Sequence, residues 1–334
     1  MISTVYVEHA VLDHARTARV LGRLPRAHVV EIDRYGEVFN RGRQDFRVQK
    51  RNPSLILAQK EGERVLPTPE GYGVGGARNF YFSHMLNCLY DCRYCFLQGM
   101  FRSAHQVLFV DYEPFWSDIA EIASQSADDT WFFSGYDCDS LAFEGISGFA
   151  TDALDAWADL PPNAFLELRT KSTHVEGLLA RKPDDRVVVA YSLSPAAVAR
   201  EVEHGTPSLE RRIDALARLQ DAGWKVGLRF DPLLYRQDFA ASYEELFQQV
   251  FDRIDGEAVH SASLGVFRLP KDFHRRLIRL YPDEPLLAMP FAEGTGDQAG
   301  MISYRRDLER ELFEGVRARL LEHIEGRQYF PLLS

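Results

Sequence analysis

The sequence predicts an α/β protein: an incomplete TIM-like (β/α)6 barrel of parallel strands with a small N-terminal extension and a C-terminal helical extension. Two patterns predict it. From Arg78 onward, short apolar runs suited to strands alternate with helical stretches, an order that lays helices over a parallel sheet. Two of these runs also alternate polar with apolar side chains: Glu167, Arg169 and Lys171 against Leu166 and Leu168, and Lys225, Arg229 and Asp231 against Val226, Leu228 and Phe230. One face of each strand is then polar. In a barrel sheathed by helices that face is the lumen, which would hold a polar ligand; in an open sheet it would be a solvated surface.

The extension before the barrel covers residues 1–70. Residues 5–7, 28–32 and 55–57 read as short strands around a helical segment at 10–21, and the arginine-rich stretch 41–51 reads as a connecting loop. Gly71, Gly73 and Gly76 spell GxGxxG, but a dinucleotide loop needs a helix directly after it, and 78–85 reads as a strand. The glycines are therefore expected to form a flexible loop leading into the barrel.

The barrel proper is expected over 71–268, with strands at 79–83, 130–134, 165–170, 187–192, 225–230 and 261–267. Helices should occupy 195–202 and 209–222, with Ser194-Pro195 and Thr206-Pro207 as caps and Gly223 as the stop of the second. Units wound right-handed place the site at the carboxyl ends of the strands. In the extension 269–334, a helix at 271–281 carries Lys271, Arg275 and Arg279 at four-residue spacing, 282–300 reads as a loop, and 308–324 as an amphipathic helix. There are no internal repeats.

With 334 residues and 46% apolar content, one core suffices. Lys plus Arg number 39 against 49 for Asp plus Glu, a formal charge of -10 that argues against wholesale attraction to nucleic acid, so any such contact must be a local patch. No segment resembles a signal peptide or a membrane span, and the chain is expected to be soluble and cytoplasmic.

Three of the four cysteines, Cys88, Cys92 and Cys95, lie in one short stretch. Tightly spaced thiolates hold iron–sulfur clusters, and three ligands on a four-iron cube leave one iron open to a cosubstrate. A zinc site would need a fourth ligand, for which His84 and His105 are near enough in sequence, and an odd group of three cysteines cannot pair fully as disulfides. The fourth cysteine, Cys138, follows the second strand between Asp137 and Asp139. Neighbouring negative charge keeps a thiol protonated, which suits a hydrogen-atom donor better than a nucleophile; inert packing is the alternative.

The CxxxCxxC spacing, with Tyr94 just before the third cysteine, resembles the signature of the radical S-adenosylmethionine superfamily. Further segments narrow the likeness: Tyr94-Cys95-Phe96-Leu97-Gln98, Tyr136-Asp137-Cys138-Asp139-Ser140, Arg169-Thr170-Lys171-Ser172, Tyr191-Ser192, Glu203-His204-Gly205-Thr206 and the stretch from Gly223 to Gly227. In this order they resemble the spore photoproduct lyase family, and the likeness runs from Val5 to the terminal helix. The resemblance implies a DNA repair lyase in which a 4Fe-4S cluster on Cys88, Cys92 and Cys95 cleaves S-adenosylmethionine. The resulting radical takes a hydrogen atom from the thymine dimer called spore photoproduct. It also implies that Cys138 returns a hydrogen atom, that Ser140, Lys171 and Ser192 contact S-adenosylmethionine, and that Tyr94 serves beside the cluster. A monomer acting on lesion-containing DNA, supplied by a reducing electron donor such as flavodoxin or ferredoxin and using no membrane, completes the expectation.

One departure stands out: the family places a second tyrosine after the third cysteine, where this chain has Phe96, which has no O–H hydrogen to give. A radical enzyme acting on RNA, a peptide or a small molecule, or a non-catalytic iron–sulfur lesion sensor, would be the alternatives. For DNA phosphates, Arg268, Lys271, Arg275, Arg276, Arg279, Arg305 and Arg306 are candidates; the same residues could form an ordinary charged helix face.

Overall fold

The computed structural model describes residues 2–69 and 71–332. Six parallel strands, Arg78–Phe82, Thr130–Ser134, Ala164–Thr170, Val187–Ser192, Lys225–Leu233 and Ser261–Val266, lie side by side in chain order and curl into a half-barrel. The fold expected from the alternation is the one observed, and strand boundaries differ by a residue or two, except at the fifth, which runs on to Leu233. The outward side chains, Phe132, Leu166, Leu168, Val187, Val189, Val226, Leu228 and Leu264 among them, are buried in one large core beneath the helices. The inward face differs: at its floor Trp131, Phe133 and Val188 pack with Val74, Tyr72, Phe165 and Phe330.

Both edges of the curled sheet are covered, as unpaired strand edges otherwise invite pairing with other chains. Val65–Pro67 adds antiparallel to the first strand. On the other side, the N–H groups of Phe330 and Leu332 donate to the carbonyls of Ala262 and Leu264, at 2.9 and 3.2 Å.

A second sheet, in spatial order His28–Ile32, Thr4–Glu8, Leu55–Ala58, Gln106–Phe109, Met85–Leu86, packs beside the barrel. The last two of these strands flank the cysteine stretch, so the two sheets exchange chain across residue 70. Several local expectations are corrected. The stretch 41–51 is not all loop: Phe46–Arg51 is helical, with Asp45 accepting the N–H of Val48 at 3.0 Å as N-cap. Residues 282–300 contain a strand, Phe291–Glu293, which joins Met301–Tyr304 and Arg268–Pro270 in a three-stranded sheet. Ser208, not Thr206, caps the helix Leu209–Asp221, and Ser194 caps nothing; the Ser194 hydroxyl donates to Glu203 instead, and that of Thr206 accepts from Arg212. Gly223, at φ +88°, stops that helix as expected. After the glycines comes strand Arg78–Phe82; at Gly76 a Cβ would lie 2.4 Å from the Trp131 ring, so no larger residue fits there. Among the described residues no helix is long and apolar enough to cross a membrane.

Candidate functional site

The first strand delivers the cysteine stretch to the carboxyl end of the barrel, and the second sheet holds it at both ends through Met85–Leu86 and Gln106–Phe109. Within it, Asp91–Cys92 pairs antiparallel with Glu203–His204, a partner more than a hundred residues away in sequence. Lys50, from the helix before the barrel, donates to the carbonyls of Cys88 and Tyr90 at 3.1 and 2.9 Å. These contacts turn the loop so that all three thiols influence one another electrostatically. Burial pushes the Cys88 thiol up to about 12 and Cys92 well above its ordinary value, so neither ionises on its own.

The donor set fits an iron–sulfur group. The N–H of Tyr90 points to the Cys88 sulfur at 3.4 Å and that of Leu97 to the Cys95 sulfur, both favouring thiolate. Neither histidine completes a zinc site. His84 stacks on Phe149 with centroids 3.5 Å apart, and His105 Nδ1 accepts the N–H of Ser54 at 3.0 Å. Among the described residues no three His, Cys, Asp or Glu side chains are arranged to hold a single ion.

Beside the thiols lies a buried polar group. The Tyr94 hydroxyl donates to the Glu203 carboxylate, which also accepts from the Ser194 hydroxyl at 3.0 Å and pairs with Arg212 at 2.5 Å. Glu203 and Arg212 side chains are both 0% exposed. Burial opposes the Glu203 charge, but Arg212 and Lys171 outweigh it and hold the carboxyl below its usual range. Lys171 is kept charged in the same way: burial works to discharge it, while the Glu203 carboxylate outweighs burial and keeps its pKa raised. Its ammonium lies 5.6 Å from the centroid of the Tyr94 ring.

Asp139 draws the ends of the second and third strands together. Its carboxylate accepts the N–H of Leu141, Ala142 and Lys171 and the hydroxyl of Thr170, at 3.0, 2.8, 2.6 and 2.6 Å. The N–H of Ser140 donates to the Arg169 carbonyl at 3.0 Å, which sets Ser140 next to Lys171. The Ser140 hydroxyl is buried with no hydrogen-bond partner, an orphan that a bound polar group would satisfy. Ser192 ends the fourth strand, and its carbonyl accepts from Arg212 at 3.3 Å. Cys88, Cys92, Cys95, Tyr94, Ser140, Lys171 and Ser192 thus all lie at the carboxyl end of the barrel.

Cys138, 7% exposed, lies 3.8 Å from His84 Nδ1. Burial above all, with the Asp137 and Asp139 carboxylates adding to it, keeps its pKa well above the ordinary thiol value. Burial also pulls His84 down to about 3, so the imidazole is neutral. Phe96 meets the Tyr136 ring at 5.5 Å, and Tyr136 stacks on Tyr81 at 4.2 Å, an aromatic row on the rim.

Below this rim the lumen is ionic, as the strand alternation suggested. Glu167 and Arg229, both 0% exposed, pair at 2.6 Å, and Arg169 joins Glu167 at 3.1 Å. The two guanidinium groups outweigh burial and draw Glu167 down to about 2. Lys225 is the exception: it starts its strand at the opposite end and donates to the Asp185 carbonyl at 2.8 Å.

The basic candidates of the C-terminal third divide. Lys271 pairs with Glu293, Arg275 with Asp272 at 3.3 Å and Arg305 with Asp307 at 3.4 Å. Arg306 donates to the Thr295 hydroxyl at 2.9 Å, and with Arg268 it lines a cavity of about 440 Å³ beside the three-stranded sheet. Arg268 influences Asp231 in the lumen and Tyr136 on the rim. Arg276 instead donates to the Gly99 carbonyl at 3.0 Å, next to the cysteine loop.

Sequence reasoning missed Lys50, Asp139 and the Glu203–Arg212 pair as parts of this site. Asp139 and Glu203 were visible only within segments that carry the family likeness, Asp139 also as charge beside a thiol, and Arg212 as one charged position on a helix. Lys50 carried no pattern at all.

The family model described as spore photoproduct lyase matches residues 80–288. The spore photoproduct lyase of Clostridium acetobutylicum is 22% identical over 212 residues, covering 62% of this chain and 62% of that protein. That of Bacillus subtilis is 23% identical over 205 residues, covering 60% of this chain and 59% of that protein. The matched region is thus under two thirds of the length of these relatives. A solved structure of a doubly substituted spore photoproduct lyase with bound AdoMet and dinucleoside spore photoproduct superposes with a TM-score of 0.86, at 18% identity, over 100% of this chain and 98% of that one. A spore photoproduct lyase complexed with dinucleoside spore photoproduct gives a TM-score of 0.83, likewise at 18% identity and over 100% of this chain and 98% of that one. At that identity the likeness establishes the fold.

Proposed function

Because this chain belongs to the spore photoproduct lyase family, we propose that it is a radical S-adenosylmethionine lyase that reverses the thymine dimer spore photoproduct. Cys88, Cys92 and Cys95 would hold a 4Fe-4S cluster, and Ser140, Lys171 and Ser192, with Tyr94, would receive S-adenosylmethionine. One observation carries the reading: three clustered thiols, a buried hydroxyl without a partner and a buried ammonium converge at the carboxyl end of a half-barrel with a polar lumen.

When bound, the cluster and its cosubstrate supply one-electron cleavage chemistry that ends in removal of a hydrogen atom from the lesion. The chain's own groups do the rest. The Lys171 ammonium, kept charged by Glu203, offers a counter-charge for the cosubstrate carboxylate, and Arg212 fixes Glu203 so that the pair cannot collapse. The Ser140 hydroxyl has a free donor and a free acceptor for the same ligand. Cys138 stays a thiol; its S–H bond breaks homolytically as a C–H bond forms on the product carbon, leaving the unpaired electron on sulfur. Neutral His84 beside it carries no positive charge to stabilise a thiolate, and burial leaves it too weak a base to take the thiol proton.

For DNA, the proposal centres on Arg268 and Arg306, which line one cavity, because Arg268 is also near enough to Asp231 in the lumen for its charge to act there. An extruded dimer would reach the rim there, at a cost of about a few kcal/mol that is smaller for a damaged base. The test is anaerobic reconstitution followed by incubation with spore photoproduct dinucleoside. Formation of 5'-deoxyadenosine together with restored thymines is expected. Nucleoside formation without repair would move the substrate to another class, and neither product would end the reading. In Cys138→Ala, 5'-deoxyadenosine should still form while intact thymine product does not accumulate.

A further inference from the structure

A second basic feature lies outside the lumen. Three segments far apart in sequence, the loop at Arg43, the turn from Gly99 to Arg102 and the helix Lys271–Leu280, surround an open cavity of about 430 Å³. Four arginines line it, Arg43, Arg102, Arg276 and Arg279, and Asp272 is the one carboxylate beside them. Asp272 is already engaged by Arg275 at 3.3 Å. Among the described residues no carboxylate pairs with Arg43, Arg102 or Arg279; the Arg279 guanidinium reaches only the Arg275 carbonyl, at 3.4 Å. Burial, together with Arg102 and Arg279, lowers the basicity of Arg276, the sign of like charges crowded without compensation. In a chain of net charge -10 such a group invites an anionic partner.

Its position says which partner. The Arg276 guanidinium donates to the Gly99 carbonyl. Gly99 belongs to the turn Leu97–Met100, whose first bonds run from the Gln98 N–H to the Cys95 carbonyl at 3.1 Å and from the Gly99 N–H to the Phe96 carbonyl at 2.9 Å. The close approach is built in, since a Cβ at Gly99 would lie 2.7 Å from that of Phe273. The cavity is thus one helical turn from the third thiol. It shares no lining residue with the lumen site, whereas the cavity at Arg268 is the one coupled to Asp231 and Tyr136.

The reaction proposed above begins with one electron that the chain itself does not supply. We propose that the cleft of Arg43, Arg102, Arg276 and Arg279 is the docking surface of an acidic one-electron carrier protein of the flavodoxin or ferredoxin kind. The carrier is oxidised by one electron and the cluster held by Cys88, Cys92 and Cys95 is reduced by one; no atom moves. This inference rests on the proposed function, but the surface can be tested apart from it. A nucleic-acid strand is the rival occupant, disfavoured because the cleft faces the cysteine loop and not the lumen opening.

The experiment uses the full chain and the variant Arg102→Glu with Arg279→Glu, two exposed positions without carboxylate partners. Cluster reduction is followed by its visible absorbance, with flavodoxin hydroquinone and separately with dithionite, and undamaged duplex binding is measured in parallel. At low ionic strength, flavodoxin-driven reduction should fall by about tenfold or more and lose its salt dependence, as electrostatically steered encounters do. Reduction by dithionite and duplex binding should not change. An unchanged flavodoxin rate, equal slowing with both reductants, or weakened duplex binding at an unchanged flavodoxin rate would each overturn the assignment. Binding of oxidised flavodoxin to the cluster-free chain decides docking even if no cluster assembles: salt-sensitive binding lost in the variant supports it, and absence of binding by the unaltered chain overturns it. Failure to assemble a cluster would instead count against the proposed function.

Discussion

Replacing Arg212 by Met tests how the site is held together. Arg212 pairs with Glu203 at 2.5 Å and donates to the Pro207 carbonyl, the Ser192 carbonyl and the Thr206 hydroxyl, at 2.9, 3.3 and 2.6 Å. Methionine keeps most of the stem but strands a carboxylate that is 0% exposed. Removing one partner of a buried pair costs about 3–5 kcal/mol. Glu203 would keep the Tyr94 and Ser194 hydroxyls and the nearby Lys171 charge, so the lower part of that range, about 3 kcal/mol, is expected. The pH dependence has a definite sign. The folded-state pKa of Glu203 lies below its ordinary value, so its contribution is present above the unfolded pKa and is lost as pH falls through the folded one. In Arg212→Met the carboxyl is no longer held down and takes up its proton at higher pH. The gap between the two proteins should therefore narrow as pH falls from neutral toward the range in which free glutamate titrates. Urea denaturation of cluster-free protein, followed by tryptophan fluorescence, measures both effects. Adding Glu203→Gln should recover much of the loss. A loss under about 1 kcal/mol at neutral pH, within the range of an exposed pair, or a gap that does not narrow, would refute the account.

Three further outcomes follow from the same geometry. Ser140→Ala should leave folding stability nearly unchanged, because the hydroxyl has no protein partner, yet weaken S-adenosylmethionine binding to reconstituted protein by roughly tenfold, the worth of a hydrogen bond to a charged group; equal affinity would remove Ser140 from the binding site. Lys50→Met deletes two contacts to the carbonyls of the cysteine loop and should lower the iron retained after anaerobic gel filtration; unchanged iron content would show that the loop holds its shape without Lys50. Phe96→Tyr places a hydroxyl on the rim beside Tyr136, and deuterium carried in the product should return to S-adenosylmethionine to a greater extent; no change would strip Phe96 of significance.

The barrel was legible because its strands announce themselves twice. Their outward residues are apolar, and their inward residues break the pattern, as at Glu167 and Arg229. The thiol spacing was equally plain, since it is written directly as residue count. What stayed hidden depends on partners distant in the chain. A charged residue on a helix reads as solvent-facing, and nothing local distinguishes Arg212, which is fully buried, from Arg211, which is exposed. The helix Phe46–Arg51 was masked by its basic residues, although Asp45 three positions before Val48 was a usable cap signal. Gln106–Phe109 is only four residues long and gains its strand identity from Leu55–Ala58, fifty residues earlier.

The weave of the second sheet limits how far this protein can be trimmed. Since Met85–Leu86 and Gln106–Phe109 both belong to it, the thiol-bearing loop hangs between two strands that pair with each other, and the second of them rests on Leu55–Ala58 from the first sixty residues. Cutting away that leading portion would not yield a minimal catalytic barrel. It would set both ends of the thiol-bearing loop adrift and take Lys50 with it, so the ability to take up iron should vanish before the barrel itself unfolds.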